Sequence, residues 1–166
     1  MDFRSFATPL IACLLALASL ARAEDVSGCD KFKWSVTREG DWFAAKPEAA
    51  EPGAALLASR AYAIALKPGA AANFAIPPER ESKPEAFAGT ATFAIDAPGL
   101  YQVTLSTEAW IDVIQGARVK SVDFSGQKAC AGVRKSVRFM LGKGLATVQI
   151  SNAESDMMLI AVAPAP

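Results

Sequence analysis

Apolar and polar residues alternate with a period of two along much of this chain. The clearest stretch is residues 100–106, where Tyr101, Val103 and Leu105 point one way and Gln102, Thr104 and Ser106 the other. Alternation of this kind, in aromatic and β-branched residues, marks a half-buried strand. Pro98-Gly99 launches it, and residues 110–114 (Trp-Ile-Asp-Val-Ile) form a second strand ended by Gly116. The two are expected to pair as a hairpin at the centre of an antiparallel sheet.

The same period recurs on both sides. Phe32, Trp34 and Val36 alternate with Lys31, Lys33 and Ser35, which predicts a first strand with one wet face. Residues 42–57 carry no clean period, and a helical turn is expected near residues 42–46, ended before Pro47. Residues 61–66 alternate large against small, and residues 73–76 are a short strand candidate. Residues 77–84 (Pro-Pro-Glu-Arg-Glu-Ser-Lys-Pro) must be an extended loop, because proline fixes φ and donates nothing to a ladder. Such a loop is either a solvated connection or a functional one, a lid or a partner-binding loop. Strands are expected again over residues 87–95, 119–124, 133–141, 145–151 and 157–162. Within residues 133–141, Val133, Val137, Phe139 and Leu141 face inward, and Lys135 interrupts that face.

About eight to ten short strands, separated by turn residues and with no long helix, define an all-β chain. The expected fold is an antiparallel two-sheet β-sandwich, jelly-roll-like, with one disulfide.

The N-terminus carries a different signal. Arg4 gives a positive start, residues 10–20 are apolar, and Ala21-Arg22-Ala23 places small residues at −3 and −1 of a cleavage point. Residues 1–23 are therefore expected to be a cleaved signal peptide, and residues 24–166 a single domain. The apolar run falls short of the roughly 20 residues a membrane span needs, so no transmembrane segment is expected after its removal. Leu10-Ile11-Ala12-Cys13 fits a lipoprotein signal only superficially, because most of the apolar run lies beyond Cys13. The expected location is periplasmic or secreted. Without Asp2, Arg4 and Arg22 the formal charge moves from 0 to −1, which argues against a nucleic-acid partner.

Loss of Cys13 with the signal leaves Cys29 and Cys130, an even number in an oxidising compartment. They are expected to form a disulfide, the alternative being two buried thiols.

The chain contains no histidine. That removes a Ser-His-Asp triad, a Cys-His pair and the histidine-based zinc and iron sites. There is no glycine-rich phosphate loop and no calcium loop of the D-x-D-x-D-G type, so no cofactor or metal is expected. Asp96, Glu108, Asp112, Asp123, Glu154 and Asp156 could supply a carboxylate pair of glycosidase type, the less favoured reading. Two constellations suit binding instead. Trp42 and Trp110 are candidate aromatic surfaces, with Asp112 on the strand face of Trp110, while Trp34 belongs with Phe32 and Val36 in the core. Arg134 and Arg138, near Lys128 and Lys135, share a strand face and could form a cationic strip for an acidic polysaccharide, a carboxylate or a lipid head group.

Four segments carry a family resemblance: F-A-G-T-A-T-F-A-I at 87–95, A-P-G-L-Y-Q-V-T-L-S at 97–106, A-W-I-D-V-I at 109–114 and S-V-R-F-x-L-x-x-G-x-A-T-V-Q-I at 136–150. Their rhythm resembles exported bacterial β-sandwich accessory modules: pre-peptidase C-terminal domains, PA14-like modules and carbohydrate-binding modules. That resemblance implies a sandwich with an accessory binding role, Asp112 being the one counterpart of those families' ligand-contacting acids. The chain is also similar to small exported proteobacterial proteins, some of which are named homogentisate dioxygenases. That name implies an iron site with histidine ligands, and a chain without histidine offers none. The reading that emerges is a non-catalytic module binding a glycan or an envelope protein. A structural or assembly protein of the cell envelope, acting through strand edges and the 77–84 loop, is the alternative.

Overall fold

The computed structural model describes residues 28–50 and 55–166. The expected signal peptide, residues 1–23, lies outside them. A 3-10 turn at Gly28–Lys31 and helix α1 (Thr37–Ala44) come first. The strands follow: β1 (Ala55–Leu57), β2 (Arg60–Ala65), β3 (Lys67–Pro68), β4 (Phe87–Ile95), β5 (Gly99–Leu105), β6 (Trp110–Gln115), β7 (Ala117–Val119), β8 (Ser121–Gly126), β9 (Lys135–Leu141), β10 (Gly144–Ala153) and β11 (Met157–Pro164).

They build two separate sheets, not a closed barrel. Sheet one has the order β1-β4-β10-β6-β7, with β3 also on β4; sheet two has the order β2-β11-β5-β9-β8. The β1–β4 ladder is parallel, and the other ladders between named strands are antiparallel. The chain passes repeatedly from one sheet to the other, which makes the sandwich jelly-roll-like. Phe93, Val103, Leu105, Val113, Ile150 and Ile160 are fully buried between the sheets. Each such side chain contributes about 1.5–3 kcal/mol by leaving water.

A second, smaller core lies on the outer face of sheet two. Phe32, Val36 and Phe43 of the N-terminal segment pack there against Ala61, Ala161 and Val133. The Cys29–Cys130 disulfide forms, with a Cα–Cα distance of 4.5 Å across 101 residues of sequence. It fastens the N-terminal segment to the loop between β8 and β9.

Six local expectations change. Residues 99–116 are not a hairpin: β5 belongs to sheet two and β6 to sheet one. Period-two alternation identifies the buried face but not the neighbouring strand, and residues 106–109 bridge the sheets, Ser106 donating its N–H to Leu159 O at 3.0 Å. Residues 31–36 keep their alternation yet pair with no strand. Phe32 and Val36 are buried, while the Lys33 N–H is taken by Ser125 Oγ at 3.1 Å. Helix α1 starts earlier than the expected turn, with the Thr37 N–H directed to Ser35 Oγ at 3.4 Å, and ends at Ala44. Residues 119–124 divide at Lys120, where the chain leaves β7 in sheet one for β8 in sheet two. Residues 73–76 form no strand, and Val133 packs in the second core instead of between the sheets.

Strand β8, at one edge of sheet two, is tied to the N-terminal segment. Asp123 Oδ1 accepts the Phe124 N–H at 2.8 Å and pairs with Lys33 Nζ at 2.7 Å. The Lys33 ammonium first, and the Phe124 N–H second, hold the Asp123 carboxyl below its ordinary value.

Two outcomes follow. Cys29→Ser combined with Cys130→Ser is expected to lower the stability of the folded protein by about 2–5 kcal/mol, measured by urea unfolding. An unchanged midpoint would contradict the fastening role of the bond. For Asp123 the unfolded chain takes up the proton first on acidification, so its contribution is complete above about pH 4 and disappears as pH falls through the lower folded value. NMR titration of the Asp123 carboxyl should give a midpoint below that of a free aspartate; a midpoint at or above it refutes the pairing.

Candidate functional site

Residues 72–86 cross the outer face of sheet one as an irregular strap. Its neck is the two-residue ladder of β3 on β4, closed by the Gly69 N–H donating to Ala86 O at 2.8 Å. Across the face it is held by side chains. Gln149 Oε1 accepts the N–H groups of Ala75 (2.9 Å) and Ile76 (3.2 Å), and its Nε2 donates to Ile76 O at 2.9 Å. Asp112 Oδ2 accepts the Glu79 N–H at 3.1 Å. Asn152 accepts the Lys83 N–H at 2.8 Å and donates to Glu81 O at 3.0 Å. Arg118 donates through Nη2 to the Pro77 carbonyl. Its Nε stands 3.1 Å from Asp112 Oδ1, close enough for charge pairing but not aligned as a hydrogen bond. Gln149 and Asp112 are 1% and 3% exposed, so the clasp works in a water-poor layer where unmade hydrogen bonds are costly.

Beside the second half of the strap lies an open cleft of about 870 Å3. Residues 80–86 form one wall; Glu108, Ala109, Trp110, Lys135, Asn152, Ala153 and Glu154 form the other. The volume falls within the roughly 300–1,000 Å3 usual for small-molecule sites. Trp110, at the start of β6, is half-buried and presents its ring to two cations. The Arg80 guanidinium lies 4.5 Å from the ring centroid and Lys135 Nζ 5.5 Å. The ring's negative face attracts both.

Glu108 and Lys135 form a closed network at the sandwich end. Glu108 accepts from Arg134 at 2.7 Å and lies 3.4 Å from Lys135 Nζ, which also donates to Ala109 O at 2.8 Å. This network explains how Lys135 escapes the inward face that it was expected to interrupt. Around the rim, Arg80 and Lys83 have no carboxylate partner among the described residues, and Glu81, Glu85 and Glu154 have no cation. Two buried polar atoms of the lining residues, Ser82 Oγ and Trp110 Nε1, have no hydrogen-bond partner among the described residues. A second cavity of about 400 Å3, around residues 64–73 and 88–92, is lined mainly by Ala, Leu, Ile and Thr, with Lys67 the one charged residue among the described lining residues.

The five residues singled out from sequence are dispersed. Trp110 lines the cleft, and Arg134 supports it through Glu108. Asp112 is buried under the strap, where it holds backbone. Trp42 lies on α1, against the far face of sheet two, with the Arg38 guanidinium 5.2 Å from its ring. Arg138 stacks 4.2 Å over Trp34 on that same far face. Arg134 and Arg138 do not form a strip: β9 begins only at Lys135, and Arg134 turns to Glu108. Arg80, Lys83 and Asn152 carry no sequence signal of their own, although the charge-rich, proline-bounded 77–84 segment that holds two of them reads as a candidate lid or partner-binding loop, and Glu108 stands out only as one of six candidate carboxylates. Lys135 was noted only beside the strip.

Comparison with protein-family profiles, with curated proteins and with solved structures finds no match to this chain. Among the described residues, no helix is long and apolar enough to cross a membrane.

Asp112→Ala should release the strap while leaving the inter-sheet core intact. The expected cost is about 2–3 kcal/mol, below the roughly 3–5 kcal/mol for breaking a fully buried pair, because Arg118 is 30% exposed and can turn to water. Limited proteolysis should then cut faster within residues 75–83. A cutting rate equal to that of the parent protein contradicts the clasp.

Proposed function

We propose that this protein is an exported, non-catalytic binding module that takes a saccharide in the cleft between the strap and sheet one. The observation that carries the reading is the half-buried Trp110 ring, facing a cleft whose walls bear charged groups with no salt-bridge partner among the described residues. A sugar offers an apolar ring face for the indole and hydroxyl groups for the carboxylates and amide around it. Arg80 covers the indole from an exposed position, so moving it aside costs only about 0.5–1 kcal/mol. The disulfide and the N-terminal signal pattern support a periplasmic or secreted location.

A second reading, an envelope-assembly protein, draws on one other surface. Val122 and Phe124 on edge strand β8, with Met140 on β9, are 56%, 63% and 58% exposed. Partners could add a strand there or cover that apolar surface.

Trp110→Ala separates the two. It should weaken retention on immobilised glycans at least tenfold while leaving thermal stability within a few degrees of the parent. Retention unchanged by this substitution refutes the cleft as the saccharide site, and co-purification lost on Phe124→Ser instead supports the edge.

A further inference from the structure

The arrangement of charge in the cleft narrows the ligand further, resting on the reading of the Trp110 cleft as a saccharide site. Its two ends differ. Around the indole stand Arg80, Lys135 and, one step behind, Arg134, against the single carboxylate of Glu108. That end carries an excess of positive charge. Asn152, hydrogen-bonded to the backbone of Glu81 and Lys83, marks the other end with Glu154 two residues on, so Glu81, Glu85 and Glu154 place acceptors there beside the single cation of Lys83.

The cations are not equivalent. Lys135 is committed to Ala109 O, Glu108 and the ring, with its side chain only 14% exposed. Arg134 is committed to Glu108. Arg80 is exposed and has the indole as its one partner among the described residues. Once the sugar ring takes its place on the indole, the Arg80 guanidinium is left with its N–H donors free, and it matches a carboxylate with two parallel hydrogen bonds.

We propose that the ligand is an acidic saccharide, a sugar ring bearing a carboxylate, and that Arg80 is its specificity-determining residue. The carboxylate meets the edge of the Arg80 guanidinium. The ring's hydroxyl hydrogens go to the carboxylates of Glu81 and Glu154. A cationic ligand would compete with Arg80 for the indole and meet the excess positive charge of that end. A neutral sugar would leave the guanidinium without an acceptor.

The test is calorimetric titration of the full disulfide-bonded protein with three probes: tri-galacturonic acid, its methyl ester and maltotriose. The ester keeps rings and hydroxyls and removes the charge. The acid should bind at least tenfold more tightly than the ester, as expected for a charged hydrogen bond against a neutral one, and its affinity should fall as salt is raised. Arg80→Gln should abolish that preference; its exposed site keeps the fold, checked by an unchanged melting temperature. Equal binding of acid and ester, or a preference that survives Arg80→Gln, overturns the acidic class while the saccharide reading stands. Binding of none of the three probes overturns both.

Discussion

A backbone N–H removed from water must find an acceptor, and residues 72–86 find theirs on side chains instead of a neighbouring strand. Gln149, Asp112, Asn152 and Arg118 reach out from sheet one and grip the strap at Ala75, Ile76, Pro77, Glu79, Glu81 and Lys83. The cleft depends on this grip, because one of its walls is the strap. Gln149 contributes most, with three hydrogen bonds from one carboxamide, so it occupies the positions that a paired strand's amide would fill.

The same logic operates on the opposite side of the molecule. Gln102, Thr104 and Ser136 are completely buried on the outer face of sheet two, beneath the N-terminal segment. Trp34 donates its indole N–H to Ser136 Oγ at 3.0 Å, and Thr104 and Ser136 share a hydrogen bond of 3.1 Å. Each sheet thus has an apolar inner face and a polar outer face, and an irregular stretch of chain covers part of each outer face. The disulfide secures one cover and the side-chain clasp secures the other. Burying these polar groups is tolerated because most find partners; Gln102 is the exception, its amide having none in the protein.

The arrangement explains what was legible in the sequence. Strand positions were, because one buried face enforces period two: residues 87–95 coincide with β4, and Val137, Phe139 and Leu141 face the core as expected. The disulfide was, from the parity of cysteines. Sheet membership was not, since alternation carries no information about the neighbour, and β5 and β6 part company across a four-residue link. Nor were the two covers, because Thr104, Ser136 and Asp112 look like solvent-facing residues until the segments that lie over them are known. The site was half legible. Trp110 stood out by its chemistry, whereas Arg80, Lys83 and Asn152 acquire meaning only when the strap brings residue 80 to the indole and residue 83 to Asn152.

A segment gripped by its main chain leaves its side chains unconstrained. In the strap, the atoms held are the amides and carbonyls of residues 75–83, which every residue except proline supplies in full. The clasp therefore sets the path of the strap while the exposed Arg80, Glu81 and Lys83 remain open to replacement; Ser82 keeps its hydroxyl buried. The scaffold separates placement from selectivity: one part of the molecule holds a recognition loop in position, and another can be rewritten for new ligands without disturbing the fold. Exchanging residues 80, 81 and 83 is the natural engineering use of this sandwich.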